Sequence, residues 1–190
     1  MPRVEIFNRE DVLNKMIAVF HNKGYNATSM QDLVDASQLN RSSLYNSFGN
    51  KLAIFLECLK TYQQKATRQT SSVLLKSNNA LEAIKAIFKL ETSDKKERNG
   101  CMITNCTSEM ANQDVSVYSF LKSNKNNMIT FLEDIIAQGQ NEGIINIRQS
   151  SQAYALFVFS ALQGYRSTGI LLKDEQQLDS IIEIVLDSLK

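Results

Sequence analysis

The rarity of helix-breaking residues constrains the fold of this chain more than any other feature. Its 190 residues contain seven glycines and a single proline, which is Pro2. A proline inside a helix costs about 3 kcal/mol, and nothing after Pro2 carries such a break. Apolar residues recur at the spacing of one helix face, as at Leu13, Met16, Ile17 and Phe20. The sequence therefore predicts an all-α fold of about nine helices.

The first part of the chain is expected to form three short helices that lead into a long one. The first helix covers about residues 8–22 and ends at Gly24. The second opens with a capping box, made either by Thr28 with Gln31 or by Ser29 with Asp32. The third helix and the long fourth helix start after the N-cap residues Asn40 and Asn50.

The rest of the chain is also predicted to be helical. Its five helices are expected at about 79–91, from about 101 onward, at 114–142, at 150–172 and at 174–190. The charged stretch "SDKKERNG", residues 93–100, is expected to be a loop. We find no internal repeat in the sequence.

Composition excludes several classes of protein. Hydrophobic residues make up 43% and charged residues 22% of the chain, which is typical of a globular protein. A net charge of +1 argues against a protein that coats nucleic acid through bulk charge, although it allows a local basic face. The first residues lack the apolar core of a signal peptide, and the longest apolar run, residues 154–159, is too short for a bilayer. We therefore expect a soluble cytoplasmic protein with reduced thiols and no membrane partner.

The stretch "LNRSSLYNSFGNK", residues 39–51, contains an unusual predicted helix. At about 100° per residue, Leu44 and Phe48 fall on one side of this helix and form its buried face. The opposite side carries hydrogen-bonding groups, small side chains and one phenol, from Arg41, Ser42, Tyr45 and Asn46, with Ser43 and Ser47 flanking them. Such a face suits a helix that enters a groove lined with polar edges.

The distribution of charge around this helix points to an anionic partner. The sequence has no acidic residue between Asp35 and Glu57, yet Arg41 and Lys51 both lie at predicted helix starts. The helix dipole disfavours a cation there by about 0.3–1 kcal/mol, unless an external anion is bound at the same end. DNA phosphate is such an anion. A helix followed by a short turn and a polar helix is also the arrangement of the helix-turn-helix motif. The alternative is that these are simply solvated helix faces.

The segment "TSMQDLVDASQLNRSSLYNSFGNK" resembles the signature of the TetR/AcrR family of bacterial transcriptional regulators. The resemblance covers residues from about 8 to 55, and it departs from the family at Ser47, where many relatives carry histidine. It implies a helix-turn-helix DNA-binding domain over residues 1–65 and an effector-binding and dimerisation domain over residues 66–190. It also implies that eight residues lie near double-stranded operator DNA: Thr28, Ser29, Arg41, Ser42, Ser43, Tyr45, Asn46 and Lys51.

The implied function is that of a homodimeric repressor, released from a palindromic operator by a small, partly apolar effector. The last two predicted helices would pair with their symmetry mates as a four-helix bundle. The first contributes a strip of small residues, Ser160, Ala161, Gly164, Ser167 and Thr168. The second contributes an apolar stripe, Leu178, Ile181, Ile182, Val185 and Leu189. The alternative is that both stripes only fill the core of one chain.

Candidates for contact with the effector are aromatic and sulfur-containing residues at helical spacing in the larger domain. They are Tyr62, Phe88, Met102, Cys106, Met110, Tyr118, Phe131, Phe157 and Tyr165. Such residues are more often core than ligand contacts, and the chemical class of the effector is not readable from them.

The sequence also bears on three other functions. Cys101 follows "KKERNG" at a predicted helix start, where nearby cations would lower a thiol pKa, so Cys101 or Cys106 could sense an oxidant or electrophile. The only histidine is His21, and we find no catalytic triad, metal cluster or phosphate-binding glycine loop, so no enzyme activity, cofactor or metal is expected. A helical adaptor that binds protein would keep the amphipathic stripes, but it would not need a stretch without acidic residues such as the one between Asp35 and Glu57.

Overall fold

The computed structural model describes residues 7–90, 99–172 and 174–190. These residues form nine α-helices and no strand, so the predicted all-α fold is confirmed. Most of the expected loop at 93–100 lies outside the described residues. The helices are α1 (Arg9–Lys23), α2 (Met30–Ser37), α3 (Arg41–Phe48), α4 (Lys51–Leu74), α5 (Ala80–Leu90), α6 (Met102–Met110), α7 (Val115–Asn141), α8 (Ser151–Leu171) and α9 (Glu175–Leu189).

Local capping explains where the first helices begin and end. Gly24 has a φ of +77° and ends α1, a conformation that glycine adopts without steric cost. The capping box of α2 is formed by Ser29 and Asp32, so Ser29 rather than Thr28 occupies the N-cap position. The amide oxygens of Asn40 and Asn50 accept backbone hydrogen bonds at the starts of α3 and α4. Each cap satisfies an N–H group that the helix itself leaves unpaired.

Two hydrophobic cores hold the helices together. The first combines the apolar faces of α1 to α4 with residues of α6 and the start of α7, including Met102, Cys106 and Val117. The second combines α5, the later part of α7, α8 and α9, around buried residues such as Phe88 and Leu132. The first core therefore includes residues from both of the predicted domains.

The apolar stripe of α9 faces the chain's own core, which corrects the expected dimer contacts there. Leu178, Ile182, Val185 and Leu189 are all buried in the second core, and Ile181 packs partly buried against it. The four buried side chains already have intramolecular partners, so they are not available to a second copy. The large apolar residue that α9 does expose is Ile184, at 69% exposure.

Candidate DNA interface and effector cavity

The polar helix α3 is held by its apolar side and exposes the other. Leu44 and Phe48 are buried in the first core, together with Leu33 of α2. Tyr45 is 41% exposed, which is high for a tyrosine beside a core. Of the other predicted contacts, Arg41, Ser42 and Asn46 are exposed and Ser43 is half-buried. The exposed side of α3 therefore has the polar character that the sequence predicts.

The two candidate contacts before α2 differ in availability. Thr28 is only 1% exposed, and its hydroxyl donates to the Gly24 carbonyl at 2.6 Å, so the prediction that it contacts DNA is corrected. Ser29 is exposed, and its hydroxyl lies 2.9 Å from the carboxylate of Asp32. Hydrogen bonds from Lys23 and from Ser29 lower the pKa of Asp32 to about 2. Asp32 therefore stays ionised, and the capping box stays intact, throughout the neutral pH range.

The first turns of α3 and α4 carry no acidic residue that would complement their positive dipole ends. Both caps are neutral amides. The Lys51 ammonium lies 4.4 Å from the centre of the Tyr25 ring, and the Arg41 guanidinium lies 5.9 Å from that of Tyr45. These aromatic faces restrain the two cations without neutralising them. The surface is thus electrostatically suited to phosphate.

Arg9 is a positioning residue for α3 that the sequence did not reveal. Its guanidinium forms two hydrogen bonds of 2.8 Å with the carboxylate of Glu57 on α4. It also donates to the Ser47 carbonyl at 3.2 Å and lies 4.1 Å from the ring centre of Phe48. One side chain therefore ties α1, α3 and α4 together. No spacing rule links residues so far apart in the chain.

A cavity of about 690 Å³ lies between α4, α7 and α8 and reaches α1 and the start of α6. Of the predicted ligand contacts, Tyr62, Phe131 and Tyr165 line it. The prediction considered only aromatic and sulfur-containing residues, so it did not include the polar side chains that line the cavity. These are Gln63, Lys65, Thr67, Gln69, Thr70, Ser71, Asn124, Asn127 and Arg166. The cavity therefore offers both apolar and polar groups to a ligand.

The remaining six predicted ligand contacts lie away from this cavity. Phe88 and Met110 are buried in the two cores, because their side chains fill space between packed helices. Met102 and Cys106 are also buried, beside a smaller pocket of about 210 Å³ next to α1. Tyr118 and Phe157 are exposed on the outer surface.

The cysteines differ in their surroundings. Cys101 caps α6 and lines the large cavity, while the cations at residues 95, 96 and 98 lie outside the described part of the chain. Burial, with a smaller contribution from the Glu109 charge, raises the pKa of Cys106 to about 12. Burial also raises the pKa of Cys58. Cys106 therefore stays protonated at neutral pH, which argues against the proposed sensor role for this residue.

A polar helix exposed on a small helical module, joined to a larger helical part that holds a cavity, defines the class of helix-turn-helix regulators. Residues 13–58 match the family model described as bacterial regulatory proteins, tetR family. The N-terminal module of the chain therefore resembles this family over those residues. The members of the family and the curated relatives of the chain are transcriptional regulators rather than enzymes.

Several relatives align over most of the chain. The HTH-type transcriptional repressor ComR of Escherichia coli (strain K12) is 27% identical over 99% of this chain and 90% of its own length. The uncharacterized HTH-type transcriptional regulator YezE of Bacillus subtilis (strain 168) is 26% identical over 77% of each chain. The repressor DhaR of Mycobacterium sp. (strain GP1) is 24% identical over 95% of this chain and 91% of its own length.

Solved structures share the fold at lower identity. A cysteine mutant of the TetR-family regulator CifR, complexed with 26 bp double-strand operator DNA, superposes with a TM-score of 0.86 at 20% identity, covering 99% of this chain and 100% of that one. The reduced form of NemR from E. coli superposes with a TM-score of 0.83 at 15% identity, covering 96% and 97%. None of the helices in the described ranges is long and apolar enough to cross a membrane.

Proposed function

We propose that this protein is a homodimeric transcriptional repressor that leaves a palindromic operator when a small molecule binds in its large cavity. The observation that carries the proposal is the exposed polar face of α3, a helix without an acidic residue in its first turn, on a closely packed module. The names of its relatives support it, since ComR and DhaR are transcriptional repressors and CifR was captured on operator DNA.

In this proposal α3 enters the major groove, where base pairs differ in their hydrogen-bonding edges. Ser42, Tyr45 and Asn46 face base edges, because they occupy the centre of the exposed side. Arg41 and Lys51, at the starts of α3 and α4, contact phosphate. Ser29 and Ser43 flank the helix and add polar contacts to the DNA backbone.

Two copies would associate through the outer faces of α8 and α9. Ser160, Gly164 and Thr168 follow one another at four-residue spacing on α8, and all three are exposed. Small side chains let two helices approach closely, and exposed Ile184 of α9 extends this face with apolar surface. A two-fold pair would place two α3 helices on half-sites about 34–36 Å apart, or multiples of that distance.

The effector would bind in the large cavity between α4, α7 and α8. The aromatic residues Tyr62, Phe131 and Tyr165 offer apolar faces to part of the ligand. The surrounding amides, hydroxyls and cationic side chains offer hydrogen bonds, so the effector would carry polar groups as well. Since α4 runs from this cavity to Lys51, a shift of α4 would move the DNA-binding module.

Lys51→Ala tests the phosphate contact. The variant is expected to weaken binding to all DNA sequences and to reduce the slope of log affinity against log salt by about 0.9, because one counterion fewer is released. Fluorescence anisotropy at several salt concentrations measures both quantities. DNA obtained by in-vitro selection with the wild-type chain serves as the probe.

Lys60→Ala is the matched control, since Lys60 is exposed on the same helix, further from its start. It should leave affinity and slope close to wild type. A Lys51→Ala variant with unchanged affinity and slope would contradict the assignment of the α4 start to phosphate.

A further inference from the structure

Glu109, on α6, holds the turn that connects α1 to α2. One carboxylate oxygen accepts a hydrogen bond of 2.9 Å from the Tyr25 backbone N–H, and the other accepts one of 2.7 Å from that of Asn26. The two amides follow one another at the end of α1, 84 and 83 residues from Glu109 in sequence. Hydrogen bonds to an ionised acceptor are about twice as strong as neutral ones.

The backbone of this turn is shaped for the carboxylate. A Cβ at Gly24 would lie 2.9 Å from one oxygen of Glu109, so a side chain there would push the carboxylate out of its position. The positive φ of Gly24 also suits glycine, so the position is restricted for two independent reasons. The close approach of Glu109 is thus built into the turn between α1 and α2.

The turn leads directly to the proposed phosphate contact. The Tyr25 ring packs against Phe55 of α4 with the ring centres 4.9 Å apart, and against Phe20 at 6.3 Å. The Lys51 ammonium lies 4.4 Å from the centre of the same ring. Glu109 therefore fixes the backbone of Tyr25, and Tyr25 supports Lys51.

The other end of α6 belongs to the large cavity. Cys101 and Ile103 line the cavity, and the Thr104 hydroxyl donates to the side-chain oxygen of Gln163 on α8 at 2.6 Å. His21 of α1, which also lines the cavity, hydrogen-bonds the Gly100 carbonyl at 2.8 Å. At 1.5 Å per residue, the nine residues of α6 span about 13 Å between the cavity wall and the α1–α2 turn.

We propose that Glu109 is a positioning residue that sets the orientation of the DNA-binding helices, and with it the half-site spacing that the dimer accepts. This inference rests on the proposed function. Because α6 forms part of the cavity wall, it gives a bound ligand a second route to Lys51, besides α4. Loss of the carboxylate would free the α1–α2 turn while leaving the cores that fold the chain in place.

The first test needs no DNA. Amide hydrogen exchange in the full chain is expected to become about ten- to hundredfold faster at Tyr25 and Asn26 in Glu109→Ala, the factor that matches loss of a hydrogen bond to a charged group. Glu109→Gln keeps an acceptor oxygen and should show a smaller change. Glu142→Ala removes the same charge from the end of α7, where the residue is exposed, and should leave both amides as in wild type. Unchanged exchange in Glu109→Ala overturns the proposal.

The second test separates positioning from simple loss of stability. The probe is the DNA selected by the wild-type chain, together with versions whose half-sites are moved one base pair closer or further apart. Glu109→Ala should bind the original DNA about tenfold more weakly and discriminate less between the three spacings, with Glu109→Gln restoring discrimination. Weaker binding with unchanged discrimination overturns the positioning role. A wild-type chain that selects no DNA contradicts the proposed function instead, and the exchange measurement then still decides whether Glu109 holds the turn.

Discussion

Gly164→Arg is expected to convert the proposed dimer to a monomer and to weaken operator binding at least about a hundredfold. Gly164 is exposed on α8, and a Cβ there would meet no atom within 4 Å among the described residues of the chain. The isolated fold should therefore tolerate the arginine, and replacing a helical glycine favours the helix by up to about 1 kcal/mol. A partner helix packed closely against this position would have no room for the new side chain.

The large effect on DNA follows from symmetry. One half-site alone provides only part of the contacts, and specific binding is typically about 10³–10⁷-fold tighter than non-specific binding. Sedimentation velocity measures the association state, and anisotropy measures the affinity for selected DNA. The recognition surface on α3 is untouched by the change, so a loss of binding reports on assembly.

One control variant makes the result interpretable. Thr130→Arg adds the same charge at an exposed position of α7 and should remain a dimer that binds normally. Ile182→Arg is unsuitable as a dimer probe, because Ile182 is 1% exposed in the core of its own chain and the charge would unfold it. A Gly164→Arg protein that stays dimeric, or a monomer that binds as tightly as wild type, would show that α8 is not the interface.

Effector release is the second large effect. A compound that binds the large cavity is expected to weaken operator binding about 5–150-fold, the range that corresponds to a coupling free energy of about 1–3 kcal/mol. Coupling is reciprocal, so selected DNA must weaken binding of the compound by the same factor. Compounds are found by the rise in melting temperature that a ligand produces when it binds only the folded state.

Tyr62→Ala should blunt this release while leaving DNA binding without ligand intact. Tyr62 lines the cavity at the middle of α4 and lies 5.8 Å from the ring centre of His21. Tyr118→Ala is the matched control, because Tyr118 is exposed outside the cavity and its removal should not affect release. Operator is titrated with and without saturating compound. If a compound shown to bind in the cavity leaves operator affinity unchanged, the induction mechanism is wrong, whatever the role of α3.

The features that sequence alone could predict are those determined by near neighbours in the chain. The caps at Asn40 and Asn50, the end of α1 at Gly24 and the two faces of α3 depend on residues within one or two helical turns. The absence of acidic residues between Asp35 and Glu57, around Lys51, is likewise visible in the sequence itself. These features identified the helix-turn-helix module and the all-α fold.

The features that sequence missed depend on contacts between distant residues. The stripe of α9 has the same spacing whether it faces its own core or a partner, so Leu178 and Ile182 were assigned to the wrong surface. Arg9 and Glu57, 48 residues apart, carry no motif that links them, and Glu109 shows its role only through the fold. Gln63 and Asn124 look like ordinary surface amides until α4 and α7 bring them within 2.7 Å beside the cavity.

The most direct test of the central claim is selection of random double-stranded DNA by the purified wild-type chain, followed by titration of the enriched sequence. The proposed function predicts enrichment of an inverted repeat, bound as a dimer at nanomolar concentrations, with half-sites separated by one or more helical turns. It further predicts that Asn46→Ala changes which bases are preferred within each half-site, because Asn46 lies on the exposed face of α3. Failure to enrich any sequence at low salt, or enrichment with a base preference that no substitution on α3 alters, would contradict it.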